Sequence, residues 1–159
     1  MKHVPLLLIL LWFCNCSTDK EKMLAENDSI LAQGVTQVTK IEVSGNAKAY
    51  TFDVTIESPD TGCDQYADWW EVVDLEGHLV HRRILDHSHV KEQPFMRSGE
   101  NIVIAENKEV YVRMHMNNSG YAKKAQKGSV ENGFQATELD VEFAKDLEKA
   151  APLPDGCAF

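Results

Sequence analysis

The stretch from Tyr50 to Glu57 constrains the fold of this 159-residue chain more than any other, because apolar and polar residues alternate at every position. Alternation with a period of two places one row of side chains on each face of a β-strand. One face is then buried and the other reaches water, as an antiparallel sheet permits. The apolar row is Tyr50, Phe52, Val54 and Ile56, and the polar row is Thr51, Asp53, Thr55 and Glu57.

Much of the remaining chain shows the same period, interrupted by turn residues. Gly45–Asn46 and Asp74–Gly77 are hairpin signals between apolar runs. Leu139, Val141 and Phe143 predict a seventh strand followed by one or two helical turns to Ala150, although Leu139, Phe143 and Leu147 are also spaced as in a helix. The other predicted strands are 35–44, 50–57, 66–73, 78–85, 101–105 and 109–117, with long loops at 86–100 and 118–132.

Short strands at hairpin spacing predict an all-β fold, specifically an antiparallel β-sandwich. The pattern resembles that of immunoglobulin-like and fibronectin-like domains, which implies about seven strands, loops gathered at both ends and here a short C-terminal helix or tail. We predict a single domain over residues 36–159, preceded by a polar tether over residues 16–35.

The first fifteen residues predict an export signal. Lys2 is followed by an apolar run from Val4 to Phe13, which is shorter than the roughly 20 residues of a spanning helix. The run ends at Cys14-Asn15-Cys16-Ser17, which resembles the lipobox of bacterial lipoproteins. The resemblance implies that residues 1–15 are removed, that Cys16 receives lipid, and that the protein is anchored to a membrane of the bacterial envelope, in the periplasm or at the cell surface. Cys14 is the alternative lipid site, and an ordinary secretory signal is the alternative to lipidation.

The charge balance argues against nucleic acid as a partner. Removal of residues 1–15 would reduce the 16 basic side chains to 15, and against 25 acids the net charge would change from −9 to −10. An acidic surface does not attract phosphate backbones. The chain also contains no glycine-rich nucleotide motif and no Gly-x-Ser-x-Gly, so we expect no nucleotide cofactor and lean against an enzyme.

Two cysteines remain in the body of the protein, Cys63 and Cys157. Export places them in an oxidising compartment, where paired cysteines usually form a disulfide. The alternative, two free thiols that bind metal, does not fit their spacing. We therefore predict a Cys63–Cys157 disulfide.

The loop DHSHVKEQPF carries the strongest candidate metal ligands, His87, His89 and Glu92. If His87 and His89 are extended, their rings leave the same face and can converge on one zinc or copper ion. The alternative is a loop in which these histidines hydrogen-bond to the backbone. His81 and His115 lie on neighbouring predicted strands as further donors.

Four more residues are candidates for binding. Because Trp69 and Trp70 are adjacent on a predicted strand, one indole points into the core and the other lies on the outer face unless another segment covers it. Arg83 and Arg97 flank the histidine loop and can bind a carboxylate or phosphate, although for Arg82 and Arg83 we favour cross-strand pairing with acids. The sequence therefore predicts a non-enzymatic, lipid-anchored module that binds an envelope protein or a small ligand, with metal binding and a purely structural role as alternatives.

Overall fold

The computed structural model describes residues 36–47 and 49–158. The predicted export signal over residues 1–15, the predicted lipid site Cys16 and the predicted tether over residues 16–35 lie outside these ranges. Within them, no helix is long and apolar enough to cross a membrane. The strands are β1 (Gln37–Asn46), β2 (Ala49–Glu57), β3 (Ala67–Asp74), β4 (Leu79–Ile84), β5 (Phe95–Ile102), β6 (Val110–Met116), β7 (Gly120–Tyr121), β8 (Lys124–Ser129) and β9 (Gly133–Glu138), followed by the 3-10 helix η1 (Lys145–Lys149).

The strands form one highly curved sheet in the order β4-β3-β6-β8-β1-β2-β5. In addition, β7 pairs with β6 and β9 pairs with β8. Every pairing is antiparallel except that of β1 with β8, which meet in parallel at Gln37 and Lys124. At the two ends of this path, Arg83 Nε of β4 donates to the Ser98 carbonyl of β5 at 3.0 Å. A side chain thus links the ends of the sheet, and the all-β, sandwich-like fold is confirmed.

The core lies between the β4-β3-β6 and β1-β2-β5 parts of the sheet. The alternating row of β2 supplies Tyr50, Phe52, Val54 and Ile56, all buried as predicted. Burial of one such large side chain stabilises a fold by roughly 1.5–3 kcal/mol. The opposite wall comes from β3 and β6, whose core residues are Ala67, Trp70, Val72, Val110, Val112, Met114 and Met116.

The sequence-based strand assignment is wrong in four places. The predicted strand over residues 101–105 is extended only at Asn101 and Ile102, which are the end of β5. The predicted loop over residues 86–100 contains most of β5, and the predicted loop over 118–132 contains β7 and β8. The last strand, β9, ends at Glu138 rather than continuing to Phe143, although a helical turn follows as expected. These segments have few apolar residues in alternation, so their strand conformation depends on ladder pairing, β5 with β2 and β8 with both β6 and β9. Local pattern does not reveal such pairing.

Gly99 allows β5 to approach β3 and β4 closely. A Cβ atom at this position would lie 2.5 Å from Trp70 Cη2 and 2.7 Å from His81 Nε2. Trp70 is fully buried and cannot move away. We expect Gly99→Ala to lower the free energy of unfolding by about 1–3 kcal/mol, as overpacking usually does. Urea denaturation measures this, with exposed Glu100→Ala as the control; an unchanged midpoint for Gly99→Ala would contradict the packing.

Candidate functional site

Three loops and the C-terminal tail meet at one end of the sheet. Asn117 holds the loop before β3, since its side-chain amide donates to the Cys63 carbonyl at 2.9 Å and its Oδ1 accepts from the Tyr66 N–H at 2.9 Å. In the tail, the Ala158 N–H donates to the Asp86 carbonyl at 2.6 Å. We call this region the loop end; it comprises residues 58–66, 86–94, 117–119 and 157–158.

The predicted disulfide lies in the loop end. Cys63 and Cys157 are bonded, with their Cα atoms 5.6 Å apart, and are 94 residues apart in sequence. The bond ties the C-terminal tail to the loop before β3. It therefore fixes the position of Ala158 beside the histidine loop.

Asp60 organises the loop end through its carboxylate. Oδ1 accepts from the Ser58 hydroxyl at 2.7 Å and from the Ala67 N–H at 3.0 Å, and Oδ2 accepts from the His89 N–H at 2.8 Å. The carboxylate is fully buried. Gln93 adds a second link, because its side chain bonds both Ser58 and the His89 carbonyl. The backbone of His89 is thus held from two sides.

The ring of His89 is in a different situation. The residue is 2% exposed, and neither ring nitrogen has a hydrogen-bond partner among the described residues. The ring stacks on Phe95 with centroids 3.8 Å apart, and the exposed His87 ring lies 4.5 Å away. Burial lowers the pKa of His89 to about 4, so the imidazole is neutral near pH 7. Its 3.9 Å approach to Asp60 Oδ2 is therefore not an ion pair at that pH.

A small pocket opens beside these histidines. It has a volume of about 270 Å³ and is lined by Gly62, His87, Ser88, Val90 and Ala158. Val90 is half-exposed, and the Ser88 hydroxyl is buried without a hydrogen-bond partner in the described part of the chain. The pocket can take an apolar group, with the exposed His87 imidazole on its wall to orient it.

The three predicted metal ligands do not converge. Glu92 turns to Arg97, whose Nη2 lies 3.1 Å from its carboxylate and lowers its pKa. This leaves the two imidazoles of His87 and His89 as near neighbours. His81 and His115 lie elsewhere, His81 against Trp70 and His115 bonded to Asp68 at 2.7 Å.

Within residues 36–47 and 49–158, one group of three side chains is close enough together to hold a metal ion. It consists of Asp74, Glu76 and His78, whose potential ligand atoms lie within 4.8 Å of one another. The Asp74 carboxylate accepts from the backbone N–H groups of Glu76 and His78, and its pKa is about 2. Lys108 lies 3.1 Å from Glu76 and 3.7 Å from Asp74. The carboxylates therefore already have cationic and backbone partners, which is the arrangement of a capped β-turn.

The predicted aromatic and arginine candidates have structural contacts. Trp69 and Trp70 lie on opposite faces, as predicted. Trp70 is the one in the core, and Trp69 is also covered and only 3% exposed. Arg83 donates to the backbone carbonyls of Ser98 and Ile84 instead of pairing with an acid. Arg97 lies over Phe95 and pairs with Glu92 at the rim of the loop end.

Sequence reasoning missed the largest polar cluster, formed by Glu71, Arg82 and Arg113. All three side chains are completely buried, on the face of β3, β4 and β6 opposite the core, which we call the outer face. The cross-strand pairing of Arg82 with Glu71 is as predicted. One signal was present: an acid and an arginine interrupt the otherwise apolar strands β3 and β6.

Burial of neutral His89 makes stability depend on pH. The pKa of His89 in the folded protein lies below its ordinary value of 6.5. The stability that the neutral ring contributes is therefore fully present above pH 6.5 and is lost as the pH falls toward 4. We expect the free energy of unfolding to drop by up to about 3 kcal/mol over that window. The groups facing the ring are Asp60, His87, Glu92 and Arg97. Urea titrations at pH 7 and pH 4.5, compared with His89→Gln, measure the drop, and an equal drop in both proteins would contradict this origin.

Comparison with known proteins finds one partial relative and one slight structural likeness. No family model matches the chain. A curated protein of the archaeon Halomicrobium mukohataei, named "Putative lipoprotein", is 41% identical over 91 residues, which are 57% of this chain. The chain spans 44% of that relative's length. A superoxide reductase (neelaredoxin) from Ignicoccus hospitalis has 13% identity, covers 67% of this chain and 87% of its own, and has a TM-score of 0.44. That likeness is too slight to support an inference.

Proposed function

We propose that this protein is an exported, lipid-anchored module that binds a ligand at its loop end. The observation that carries the proposal is the pair of unpartnered polar side chains there: the buried His89 imidazole and the buried Ser88 hydroxyl. Buried polar groups in folded proteins nearly always have partners, and a ligand would supply them for three of the seven buried side-chain atoms that lack one in the described residues. The other four atoms belong to Trp69, Trp70, His81 and Tyr121. Ser88 lines the open pocket, and His89 lies beside the pocket residue His87.

The lipid anchor is supported by the sequence around Cys16 and by the name of the archaeal relative. Acyl chains contribute about 0.8 kcal/mol per buried CH₂, enough for firm attachment when more than one chain is present. We expect Cys16→Ser to abolish partitioning of the exported protein into detergent, and Cys14→Ser to leave it unchanged. If both variants partition as the parent does, the anchor assignment is wrong.

The loop-end site is tested by site-specific photo-crosslinking in intact cells. A photoreactive residue replaces exposed His87 in one variant and exposed Glu106, in the β5–β6 turn, in the control. If the loop end binds a ligand, the variant with the photoreactive residue at position 87 should form a discrete crosslinked adduct with it. The variant with the residue at position 106 should not form that adduct. The adduct must weaken when Ser88→Val fills the pocket mouth. Equal adducts at both positions, or none at 87, would argue against the site.

Metal binding is the second candidate, favoured by the 4.5 Å separation of the His87 and His89 rings. Two imidazoles can ligate zinc or copper, with solvent in the remaining positions. We expect one equivalent of Zn²⁺ or Cu²⁺ to bind the parent and to be lost in His87→Ala/His89→Ala. His78→Ala, in the turn cluster, is the matched control. Absence of stoichiometric metal in the parent would eliminate this candidate and leave the ligand site standing.

A further inference from the structure

The C-terminal segment, residues 143–152, lies across the outer face and is held by two arginines. Arg82 donates to the carbonyls of Leu147 at 2.7 Å, Ala150 at 2.6 Å and Pro152 at 2.9 Å. Arg113 donates to the carbonyls of Phe143 at 2.5 Å and Ala144 at 3.2 Å. Five main-chain carbonyls are therefore bound by two guanidinium groups.

Glu71 positions both guanidinium groups. Its Oε2 accepts from Nε and Nη2 of Arg82 at 2.8 and 2.6 Å, and its Oε1 accepts from Nε of Arg113 at 2.9 Å. An arginine has five N–H donors in a planar fork, and those that do not bond Glu71 face the C-terminal segment. The arginines are thus fixed in orientation without help from the C-terminal segment, which lowers the entropy cost of binding it.

Two side chains of the C-terminal segment take part in this contact. The Phe143 ring packs edge-on against Tyr111 with centroids 5.4 Å apart, and Glu148 Oε1 lies 3.7 Å from His115 Nε2. No residue of η1, which forms the middle of the segment, is buried. Lys145, Asp146 and Lys149 are exposed. The hydrogen bonds from the two arginines all go to backbone carbonyls, so the contact is made mainly through the backbone, and it resembles the binding of a peptide more than the packing of a core element.

We propose that the outer face is a peptide-binding site that recognises main-chain carbonyl groups, filled in this chain by its own C-terminal segment. The occupant is the sequence of residues 143–152, held here by its own chain and equally acceptable from a second copy. Aromatic side chains complete the site, since Trp69 lies 4.5 Å from the Arg82 guanidinium and Tyr121 lies 3.5 Å from that of Arg113.

The disulfide retains the C-terminal segment on this site. The segment continues from β9 at Leu139, whose N–H donates to the Lys123 carbonyl at 2.8 Å, and is tied at its other end by Cys63–Cys157. A dithiol reductant transfers two electrons and two protons to this bond, yields two thiols, and closes to its own disulfide. After reduction, the segment is held by the carbonyl contacts alone and can exchange.

The test uses the full chain with a protease recognition sequence inserted at exposed Asp140. After cleavage, the C-terminal piece stays attached through the disulfide. A fluorescent peptide of residues 143–158 is then added, and its anisotropy is measured before and after treatment with a dithiol. We expect no exchange before reduction and saturable binding after it. A peptide with Asp146→Asn and Lys149→Ala should bind within about twofold, because these side chains are exposed.

Arg113→Lys is the matched variant of the site. It keeps the positive charge, but its three donors share one nitrogen, whereas Arg113 reaches Glu71, the Phe143 carbonyl and the Ala144 carbonyl from three different nitrogens. We therefore expect peptide affinity to fall by at least about tenfold. Release of the native piece without uptake of labelled peptide would overturn the proposal. The proposal would also be overturned if the Asp146→Asn/Lys149→Ala peptide lost as much affinity for the parent protein as the unaltered peptide loses for Arg113→Lys. If the nicked, reduced chain loses its fold, excess peptide must restore its tryptophan fluorescence, and failure to do so would also overturn the proposal.

Discussion

Glu71→Gln is expected to lower the free energy of unfolding by about 3–5 kcal/mol, the usual cost of removing one partner from a buried ion pair. Arg82 and Arg113 would remain buried, close together and without a counter-charge, since both pair with Glu71 through side chains that are completely buried. Urea denaturation followed by tryptophan fluorescence measures the change. Because typical domains are stable by only about 5–15 kcal/mol, the variant should be close to unfolding at 37 °C.

The control for Glu71→Gln is Glu138→Gln, which removes the same charge from the exposed Lys123–Glu138 pair. An exposed pair contributes at most about 1 kcal/mol, so the midpoint should barely move.

Replacing Glu71, Arg82 and Arg113 together by apolar residues of similar size should not restore stability. Such replacements can rescue other buried ion pairs, but here five carbonyls would lose their donors. Full rescue by the triple variant would show that the carbonyl bonds contribute little.

Loss of the Cys63–Cys157 bond is expected to have the second large effect. The bond closes a loop with a sequence separation of 94 residues. In the chain-entropy model, a loop of that size stabilises the folded state by about 4–5 kcal/mol. Reduction of the parent and the Cys63→Ser/Cys157→Ser variant should therefore lower the melting temperature equally. If the double variant had the same melting temperature as the oxidised parent, the bond would contribute little to the stability of the fold.

The sequence predicts the core of this fold well because burial has a local signature. A strand with one buried face must alternate, and β2 does so from Tyr50 to Glu57, with the apolar row buried as expected. The same rule predicts that Trp69 and Trp70 lie on opposite faces, and the structure shows that Trp70 is the one in the core. Strands β5 and β8 were missed because their conformation depends on hydrogen bonds to partners distant in the chain.

The sequence identifies the histidine loop but not the arrangement of its side chains. The histidine loop lies at one end of the fold beside the disulfide, near where the sequence placed it. Burial of His89 and exposure of His87 could not be predicted, since the two residues are equivalent in the motif. Asp60, 29 residues earlier, decides between them by accepting the His89 N–H and drawing that residue inward.

Residue period, turn residues and cysteine count were sufficient to determine an all-β body with one internal disulfide, because each reflects a local requirement of the chain. The C-terminal segment and the cluster beneath it were decided by tertiary structure. In the sequence, Glu71 and Arg113 only interrupt apolar runs. The folded chain joins them with Arg82 in one buried cluster and brings residues 143–152 over it. A charged side chain is buried at acceptable cost only when other residues supply its ion-pair and hydrogen-bond partners. Here those partners are distant in the sequence, so the local pattern does not reveal them.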